Sequence, residues 1–504
     1  MSDSILITQS NVKFQYKCNG KGNHIDSNIA ANISKRSGFS YFLSIIDRSS
    51  NSEVLLQADI KSILNPRFNE EKLYFKFIVM FNNMCYNIKL IFFQLNELQI
   101  FVNYYVKCLF ESSNQKQVGA SDILELDRYV SYLRENKKDY SDNQEDEFGR
   151  DIQEENNKKI DEGRNRLLRY NNQTSDVFVT RQYSDHSDLG LFRPDSRCSY
   201  RMSIPNIQDE DGQSILADDM LINKQKNSLY LIDKNDKHQI YDFDLQRGIT
   251  TNHLNCIDSS GNYHEVQHIF EHERNKNNCQ TFVGFNQRNT LLFDPRVERS
   301  IVKQSSYKTN NEFTCGSSTV NGKIAMGSEK GIVRLYKSPC LNRATINFQI
   351  NVGNEPIIEL DISPDERWVL ATCPYYLSII DTLAPSTGKL GFDSPMGKEK
   401  PGLIRLSLKP KDAQRVASYN GNKLLPFTSG KFEIQNNQVV GIVGNIGNAL
   451  IRWGFRSIEL KKIPNYSITF IPNENIVDST PIEKQNGVVY ISPNMVSFVN
   501  IKTK

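Results

Sequence analysis

No apolar run in this sequence approaches the roughly 20 residues that a membrane-spanning helix needs. Residues 1–25 lack a basic region followed by an apolar core, so no signal peptide is predicted. The nine cysteines are odd in number, scattered and never spaced as C-x-x-C, which is typical of reduced thiols rather than of a disulfide framework. These absences predict a cytoplasmic or nucleocytoplasmic protein.

The chain also lacks an excess of charge of one sign. Its 61 basic and 58 acidic residues give a formal net charge of only +3. Nucleic-acid-binding domains carry clustered Lys and Arg and a clearly basic balance. We therefore expect no nucleic-acid partner.

Residues 1–112 predict a run of antiparallel strands closed by one amphipathic helix. Short β-branched and aromatic runs, such as 41–47, 73–81 and 85–92, are separated by loops that carry Gly, Asn and Ser. From 94 to 111, apolar side chains recur at steps of three and four residues, which indicates one wide apolar helix face. This order of elements predicts a pleckstrin-homology-like barrel with a C-terminal helix.

Residues 113–174 form a predicted charged linker. Between 135 and 169 almost every second residue is charged or an amide, and apolar side chains are few. Such a segment cannot bury enough surface to offset the entropy lost on ordering. A solvated helix or a disordered linker is expected, and a charged docking segment is the alternative.

Residues 175–504 predict a seven-bladed, WD-repeat-like β-propeller, so the whole chain is mainly β. An apolar strand followed by a charge or a turn occurs seven times, most of them about 40 to 50 residues apart, the period of four-stranded blades. The longer gap before the sixth copy is assigned to an insertion at 388–403. The seven strand endings lie at 189–192, 240–243, 291–294, 333–336, 378–381, 450–453 and 496–499.

Four motifs in the propeller region resemble one known family. They are Asp294-Pro295-Arg296, Gly327-Ser328-Glu329-Lys330-Gly331, Pro356-Ile357-Ile358, and Trp368 followed by Ala371-Thr372-Cys373. In this order they resemble the C-terminal domain of the vacuolar import and degradation protein 27 family. The resemblance covers about 230–504, and 251–278 and 412–423 depart from the family pattern.

The resemblance implies an upstream pleckstrin-homology-like domain, a cytoplasmic location and a role in vacuolar import, protein degradation or trafficking. It implies no catalytic activity and no cofactor. The linker here is mixed in charge, whereas relatives often carry a strongly acidic run, so partners bound through that run do not carry over.

A short histidine motif is the main sign of an enzyme. His264-Glu265-Val266-Gln267-His268 matches the H-E-x-x-H pattern, in which a helix places both histidines on zinc and the glutamate acts as a base. Its surroundings are strand-rich and start with Gly261-Asn262, which favours an exposed loop between blades. A metal-dependent hydrolase that uses His264, Glu265 and His268 remains the rival hypothesis.

Two charged turns are the candidate sites for a protein partner. Glu329 and Lys330 lie in one turn, and Asp365, Glu366 and Arg367 lie in another. Turns of one type line one rim of a propeller, where exposed charges can meet a partner. The favoured function is a non-enzymatic interaction scaffold or adaptor that binds proteins on the propeller rim.

Lipid binding by the N-terminal domain is a further alternative. Sparse basic residues there would contact phosphoinositide head groups and make the protein a peripheral membrane adaptor. Solvated surface positions are the favoured explanation for these residues, which are Lys13, Lys17, Lys21, Lys35 and Arg36.

Overall fold

The chain folds as two units in a computed structural model, unit 1 comprising Met1–Glu162 with Leu408–Lys423, and unit 2 comprising Gly163–Ser407 with Leu424–Lys504. The structure describes residues 4–500 except for 11, 19–20, 26–28, 50–52, 61–62, 82–83, 124–125, 128–129, 131–132, 135–162, 196–197, 275–279, 308–310, 351–354, 398, 461–464, 472–473 and 484. Within those residues, every helix is too short or too polar to cross a membrane.

Two antiparallel sheets form the framework of the first unit. One sheet has the order β1 (Ser4–Ser10), β4 (Ile29–Lys35), β5 (Tyr41–Asp47) and β6 (Glu53–Asp59). The other has the order β3 (Lys21–Ile25), β2 (Lys13–Cys18), β9 (Met84–Ile91), β8 (Tyr74–Phe81) and β7 (Leu64–Asn69). A short 3-10 turn, Ala120–Asp122, lies downstream.

The helix α1 (Leu95–Asn114) supplies much of the core of this unit. Its Phe101 and Tyr105 are fully buried, and their ring centroids lie 5.3 Å and 5.1 Å from that of Phe75 on β8. The apolar side chains that recur along 94–111 therefore do face a sheet. The prediction of a pleckstrin-homology-like barrel closed by a C-terminal helix is confirmed.

A second helix, α2 (Pro410–Ser418), belongs to the same unit although it lies between two propeller strands in the sequence. It packs against β7, β8 and β9, and Asn87 on β9 donates a hydrogen bond to Gln414 at 3.4 Å. Ala413, Val416 and Ala417 form its buried face. The sequence prediction of a single insertion at 388–403 did not include this helix, which accounts for part of the longer blade spacing.

Seven antiparallel sheets make up the propeller, and each follows the chain as a meander. Blades 1 to 3 are β10 (Arg164–Asn171), β11 (Asp176–Gln182), β12 (Ser187–Arg193), β13 (Ser199–Ile204); β14 (Ala217–Asn223), β15 (Ser228–Asp233), β16 (Gln239–Asp244), β17 (Ile249–Asn255); and β18 (His268–Glu271), β19 (Phe282–Phe285), β20 (Asn289–Phe293), β21 (Ile301–Ser306).

Blades 4 to 7 repeat this plan, and three strands of the last blade lie among the described residues. They are β22 (Phe313–Ser318), β23 (Ile324–Ser328), β24 (Ile332–Tyr336), β25 (Ile346–Gln349); β26 (Glu359–Ile362), β27 (Trp368–Cys373), β28 (Tyr376–Asp381), β29 (Gly402–Leu406); β30 (Phe427–Gln435), β31 (Gln438–Ile446), β32 (Ala449–Gly454), β33 (Tyr466–Phe470); and β34 (Asp478–Ile482), β35 (Gly487–Ile491), β36 (Val496–Asn500). A short helix, α3 (Phe455–Glu459), follows β32.

The seven apolar strand endings identified in the sequence are the third strands of the seven blades, β12, β16, β20, β24, β28, β32 and β36. Six of them are inner strands of four-stranded blades, and these are apolar because a blade packs against a neighbour on each side, so both faces of its inner strands are buried. In β28, for example, Tyr376 to Ile380 are all buried. The prediction of a seven-bladed, mainly β propeller is confirmed.

The ring is closed by packing between the first and last blades. The first strands β10 and β34 contact each other, and Leu168, Val177, Ile482 and Val489 share one apolar cluster. The backbone N–H of Asn165 donates to the carbonyl oxygen of Pro493 at 2.8 Å. Side-chain packing therefore joins the two ends of the propeller.

The structure differs from the sequence prediction at the start of this domain. Strand β10 lies inside 113–174, which was predicted to be linker, because the arginines of β10 resemble those of a solvated segment. Arg166 and Arg169 instead form ion pairs with Asp218 and Asp219 of blade 2.

Most of 113–134, also predicted to be linker, is described: Leu133 is buried and Arg134 pairs with Glu70 of the first unit at 3.2 Å. Residues 135–162 lie outside the described residues, and for them the linker stays a prediction.

Candidate interaction surfaces of the propeller

The first predicted turn joins β23 to β24 in blade 4. Gly331 has a φ of +71°, which glycine adopts without steric cost, and its N–H donates to the carbonyl oxygen of Ser328 at 3.0 Å. Glu329 and Lys330 at the tip are exposed. Lys330 forms a surface ion pair with Glu312 at 3.0 Å, and exposed pairs of this kind contribute little to stability. Both charges are thus placed where a partner can reach them.

The second predicted turn joins β26 to β27 in blade 5. Ser363 organises it, since its carbonyl oxygen accepts from the N–H of Glu366 at 2.9 Å and its hydroxyl accepts from the N–H of Trp368 at 2.8 Å. Asp365 is exposed at the tip. Arg367 makes two hydrogen bonds to Asp381, at 2.9 Å and 2.7 Å, and lies 4.6 Å from the ring centroid of Trp368. Asp365 is therefore the charge that this turn offers to a partner.

The two turns lie on opposite faces of the propeller, contrary to the expectation that they share a rim. The blade-4 turn lies beside the starts of the first strands β22 and β26. The N–H of Glu329 donates to the carbonyl oxygen of Glu312, just before β22, at 2.8 Å. The N–H of Ile357, just before β26, donates to the carbonyl oxygen of Ser328 at 3.2 Å. The blade-5 turn instead follows the end of the first strand β26. First strands run in the same direction around a propeller, so their two ends define two faces. We call them the entry face, with Glu329 and Lys330, and the exit face, with Asp365.

Glu366 is a correction within the predicted set. It is only 6% exposed, because its carboxylate accepts from Lys323 at 2.8 Å and from Asn321 at 2.9 Å across the boundary with blade 4. Burial alone would raise the pKa of Glu366, but the hydrogen bonds from Lys323, Thr319 and Asn321 outweigh it and lower that pKa. The residue links two blades and is not available on the surface.

Sequence reasoning missed a belt of charged residues around the central channel. The channel, a cavity of about 560 Å³, is lined by side chains of both signs from the first strands and the turns after them. Arg169 pairs with Asp219 at 2.7 Å, Lys224 pairs with Glu271 at 2.7 Å, and Arg274 pairs with Asp361. Each of these pairs joins residues of different blades, so no local pattern in the sequence could have indicated them.

Two aspartates of the belt act in the same way in different blades. Asp219 accepts from the N–H of Met220 at 2.8 Å and from the N–H of Ile269, in the next blade, at 3.0 Å. Asp361 likewise accepts a hydrogen bond from the N–H of Ile362 at 3.0 Å and one from the N–H of Phe432, in the next blade, at 2.8 Å. Each carboxylate therefore joins two blades through its backbone bonds, and a cation neutralises it.

A third group in the channel surrounds Lys431. Its ammonium lies 3.6 Å from both Glu359 and Asp478, and it donates to the carbonyl oxygen of Ser479 at 3.1 Å. Burial raises the pKa of Glu359, an effect that Lys431 opposes. The channel charges thus compensate one another.

The H-E-x-x-H segment does not have the geometry of a zinc protease. Residues 264–267 are a loop and His268 begins strand β18, whereas the motif needs a helix. His264 contacts Asp258 at 3.0 Å, and His268 lies 3.6 Å from Asp219. In the part of the chain that the structure describes, no cluster of three or more His, Cys, Asp or Glu could hold a metal. The loop interpretation is therefore the one that fits.

The basic residues of the N-terminal domain are partly engaged with aromatic rings. The Lys35 ammonium lies 5.5 Å from the ring centroid of Tyr41, and the Arg36 guanidinium lies 4.9 Å from that of Phe42. The side chains of Lys17 and Lys21 lie outside the described residues. Lipid binding by this domain stays a prediction.

The architecture defines the class of protein: a seven-bladed, WD40-like propeller in a chain that also carries a pleckstrin-homology-like domain. A family model described as the VID27 C-terminal WD40-like domain matches residues 163–504, and one described as the VID27 PH-like domain matches 17–112. The chain therefore belongs to the VID27 family.

Two curated relatives are both named Vacuolar import and degradation protein 27. The one from Schizosaccharomyces pombe is 27% identical over 298 residues, and the one from Saccharomyces cerevisiae is 25% identical over 293 residues. Each match covers 56% of this chain and 36% of the relative, so the chain matches about a third of the relatives' length.

Solved propellers are similar at low sequence identity. The Cps50 (Swd1) β-propeller domain of Myceliophteria thermophila is 12% identical, with a TM-score of 0.48, covering 68% of this chain and 99% of that one. The Pan2 WD40 domain of Neurospora crassa is 10% identical, with a TM-score of 0.45, covering 67% of this chain and 88% of that one.

Proposed function

We propose that this chain is a non-enzymatic scaffold that binds partner proteins on the two faces of its propeller. The main support is the contrast between its charged groups. Channel charges form pairs that join the blades, whereas Glu329, Lys330 and Asp365 are exposed at turn tips. Loops held on a rigid scaffold are the usual place for binding residues.

The names of the relatives support a process for this proposal. Both are named for vacuolar import and degradation. We infer that the chain acts in the cytoplasm, in vacuolar import, protein degradation or a related trafficking step. Its binding partners are proteins rather than nucleic acid, because the net charge of +3 is small for the length of the chain.

The test is affinity capture from cytosolic extract with the tagged full chain, followed by mass spectrometry. One variant combines Glu329→Lys with Lys330→Glu and reverses the charge pattern of the entry face. A second, Asp365→Asn, removes the exit-face charge and keeps an acceptor for the hydrogen bonds of its turn. Asp211→Asn, in an exposed loop, is the matched control.

We expect at least one partner to be captured by the full chain and the control and to fall at least about fivefold with one face variant, the loss of roughly 1 kcal/mol of binding free energy. If capture falls with only one variant, the face that carries that substitution binds the partner. Equal capture by all variants contradicts the use of these turns, and the absence of any specific partner contradicts the scaffold.

A further inference from the structure

Among the residues that the structure describes, blade 7 is one strand short of the other six blades. Those blades each have four strands, and their outermost strands are four to seven residues long. In blade 7 the order is β34-β35-β36, and no described residue pairs with the outer edge of β36. An open strand edge presents unpaired backbone groups that can template another strand.

The register shows which backbone groups of β36 face this edge. The N–H of Ser492 donates to the carbonyl oxygen of Met495 at 2.9 Å, which closes the hairpin between β35 and β36. Hydrogen-bonded pairs alternate along an antiparallel ladder, so Ser497 and Val499 bond to β35. The N–H and C=O groups of Val496, Phe498 and Asn500 therefore point to the open edge.

The position next to this edge has apolar walls. Val496 and Phe498 pack on the cluster shared with blade 1, and Val499 packs on the cluster shared with blade 6. On the blade-1 side, Phe192 belongs to the same cluster as Phe498. The ring centroid of Tyr200 lies 5.8 Å from that of Phe192. Tyr200 is nevertheless 61% exposed. A strand added to β36 would cover these side chains.

The shape of the edge decides what kind of occupant fits. Blades 1 and 6 end in β13 and β33, so β36 is recessed by one strand spacing, about 4.8 Å, relative to its neighbours. A second copy of this chain presents the same recessed edge, and two recessed edges cannot meet because the outer strands beside them collide first. A single extended segment fits the recess.

The fourth strands of complete blades indicate the chemistry of that segment. Ile301, Ile346 and Leu406 are each at most 8% exposed within otherwise polar or half-exposed strands. One aliphatic anchor among more polar residues is thus sufficient for a fourth strand in this propeller. Strand addition of this kind gives affinity through backbone bonds and specificity through alternate side chains.

We propose that blade 7 binds an extended segment of a partner protein, about five residues long with an apolar anchor, as its fourth strand. This inference rests on the proposed scaffold function and names one of its binding surfaces. It is separate from the exposed turns, so either surface can fail without the other.

The first measurement is hydrogen exchange of the full chain at two concentrations, at the amides of Val496 and Phe498. We expect both amides to exchange as those of an open edge at both concentrations. Protection at the lower concentration means that the chain's own residues already fill the position. Protection that grows with concentration means that a second copy fills it. Either result overturns the proposal.

The second measurement selects a phage-displayed library of random 12-residue peptides on the full chain. The enriched peptides are synthesised, and their affinity is measured by fluorescence anisotropy. Asn500→Pro removes an outward N–H, which an edge strand tolerates, and Asn500→Ala keeps it. Tyr200→Asp places a charge in the wall. Met202→Asp is its control, because Met202 pairs with Leu191 and faces blade 2.

We expect enriched peptides with an apolar anchor that protect the Val496 and Phe498 amides on binding. Asn500→Pro and Tyr200→Asp should each weaken binding about tenfold, and the two controls should stay within about twofold. Failure to enrich peptides, or equal binding to all variants, overturns the proposal. The capture of partners through the exposed turns would still stand in that case.

Discussion

Replacing Asp361 by Asn should destabilise the propeller more than the similar shapes of the two side chains suggest. The carboxylate is 3% exposed, pairs with Arg274 and accepts the N–H of Phe432 in the next blade. Asparagine keeps one acceptor oxygen but loses the charge, and its amide nitrogen has to face either Arg274 or a backbone N–H. Both alternatives leave donors opposed inside the channel.

The magnitude follows from the burial of the two partners. Removing one member of a buried ion pair costs about 3–5 kcal/mol, because the other charge is left without compensation. The Arg274 side chain is 32% exposed, so water relieves part of this cost and the lower end, about 3 kcal/mol, applies. At roughly 2 °C per kcal/mol for a large domain, the melting temperature should fall by about 6 °C.

Tryptophan fluorescence reports this transition directly. The two tryptophans of the chain, Trp368 and Trp453, both lie in the propeller and are 4% and 1% exposed. Asp211→Asn, in an exposed loop, is the control and should change the free energy of unfolding by less than about 0.5 kcal/mol. In an Arg274→Met background, Asp361→Asn should cost at least about 1 kcal/mol less than it does alone. Equal effects of the buried and exposed substitutions would refute the reasoning.

Four further outcomes are expected. Glu366→Gln should cost about 3 kcal/mol in unfolding experiments, against less than about 0.5 kcal/mol for the exposed Glu329→Gln. The pKa of Glu366 is lowered from 4.5 in the folded chain. The stability that this carboxylate contributes is therefore complete above pH 4.5 and is lost as the pH falls through the lower pKa of the folded state. A free energy of unfolding that rose on acidification in this range would contradict the assignment. Gly487→Ala should cost about 1–3 kcal/mol, because an added Cβ would overlap Cζ of Phe498. An added Cβ at Gly454 would meet no atom within 4 Å, so Gly454→Ala should be neutral. Dialysis against a chelator should leave the melting temperature within about 1 °C, and a larger fall together with stoichiometric zinc would favour the hydrolase hypothesis.

The repeat was readable from sequence because middle strands of a blade are buried on both faces. Their apolar runs, such as the one ending at Asp381, are recognisable without any partner strand. The first strand of blade 1 was not recognised, since Arg166 and Arg169 are compensated by residues about 50 positions away. Long-range charge pairing of this kind leaves no local signal.

The helix α2 left a local signal that was not used. Pro410 at its first turn and the spacing of Ala413, Val416 and Ala417 are typical of a short amphipathic helix. Its packing on β7, β8 and β9 could not be read from that pattern, because the sheet lies more than 300 residues earlier in the chain. Local periodicity predicts an element but not what it packs against.

The candidate surface was predicted only in part. Glu329, Lys330 and Asp365 are exposed turn residues, as expected. The prediction that they share one rim was wrong. The turn between the second and third strands of a blade lies at one end of the blade, and the turn between the first and second strands lies at the other. Glutamate is usually a surface residue, so nothing in the sequence indicated that Glu366 is buried. Its ion pair with Lys323 shows that its role is structural.

Cross-linking mass spectrometry on complexes captured with the full chain tests the scaffold account most directly. The account predicts that cross-links from a captured partner concentrate on the propeller, with Lys330 among the reactive lysines if the entry face is used. Cross-links that arise only from residues 1–112, or the recovery of no complex, would contradict it.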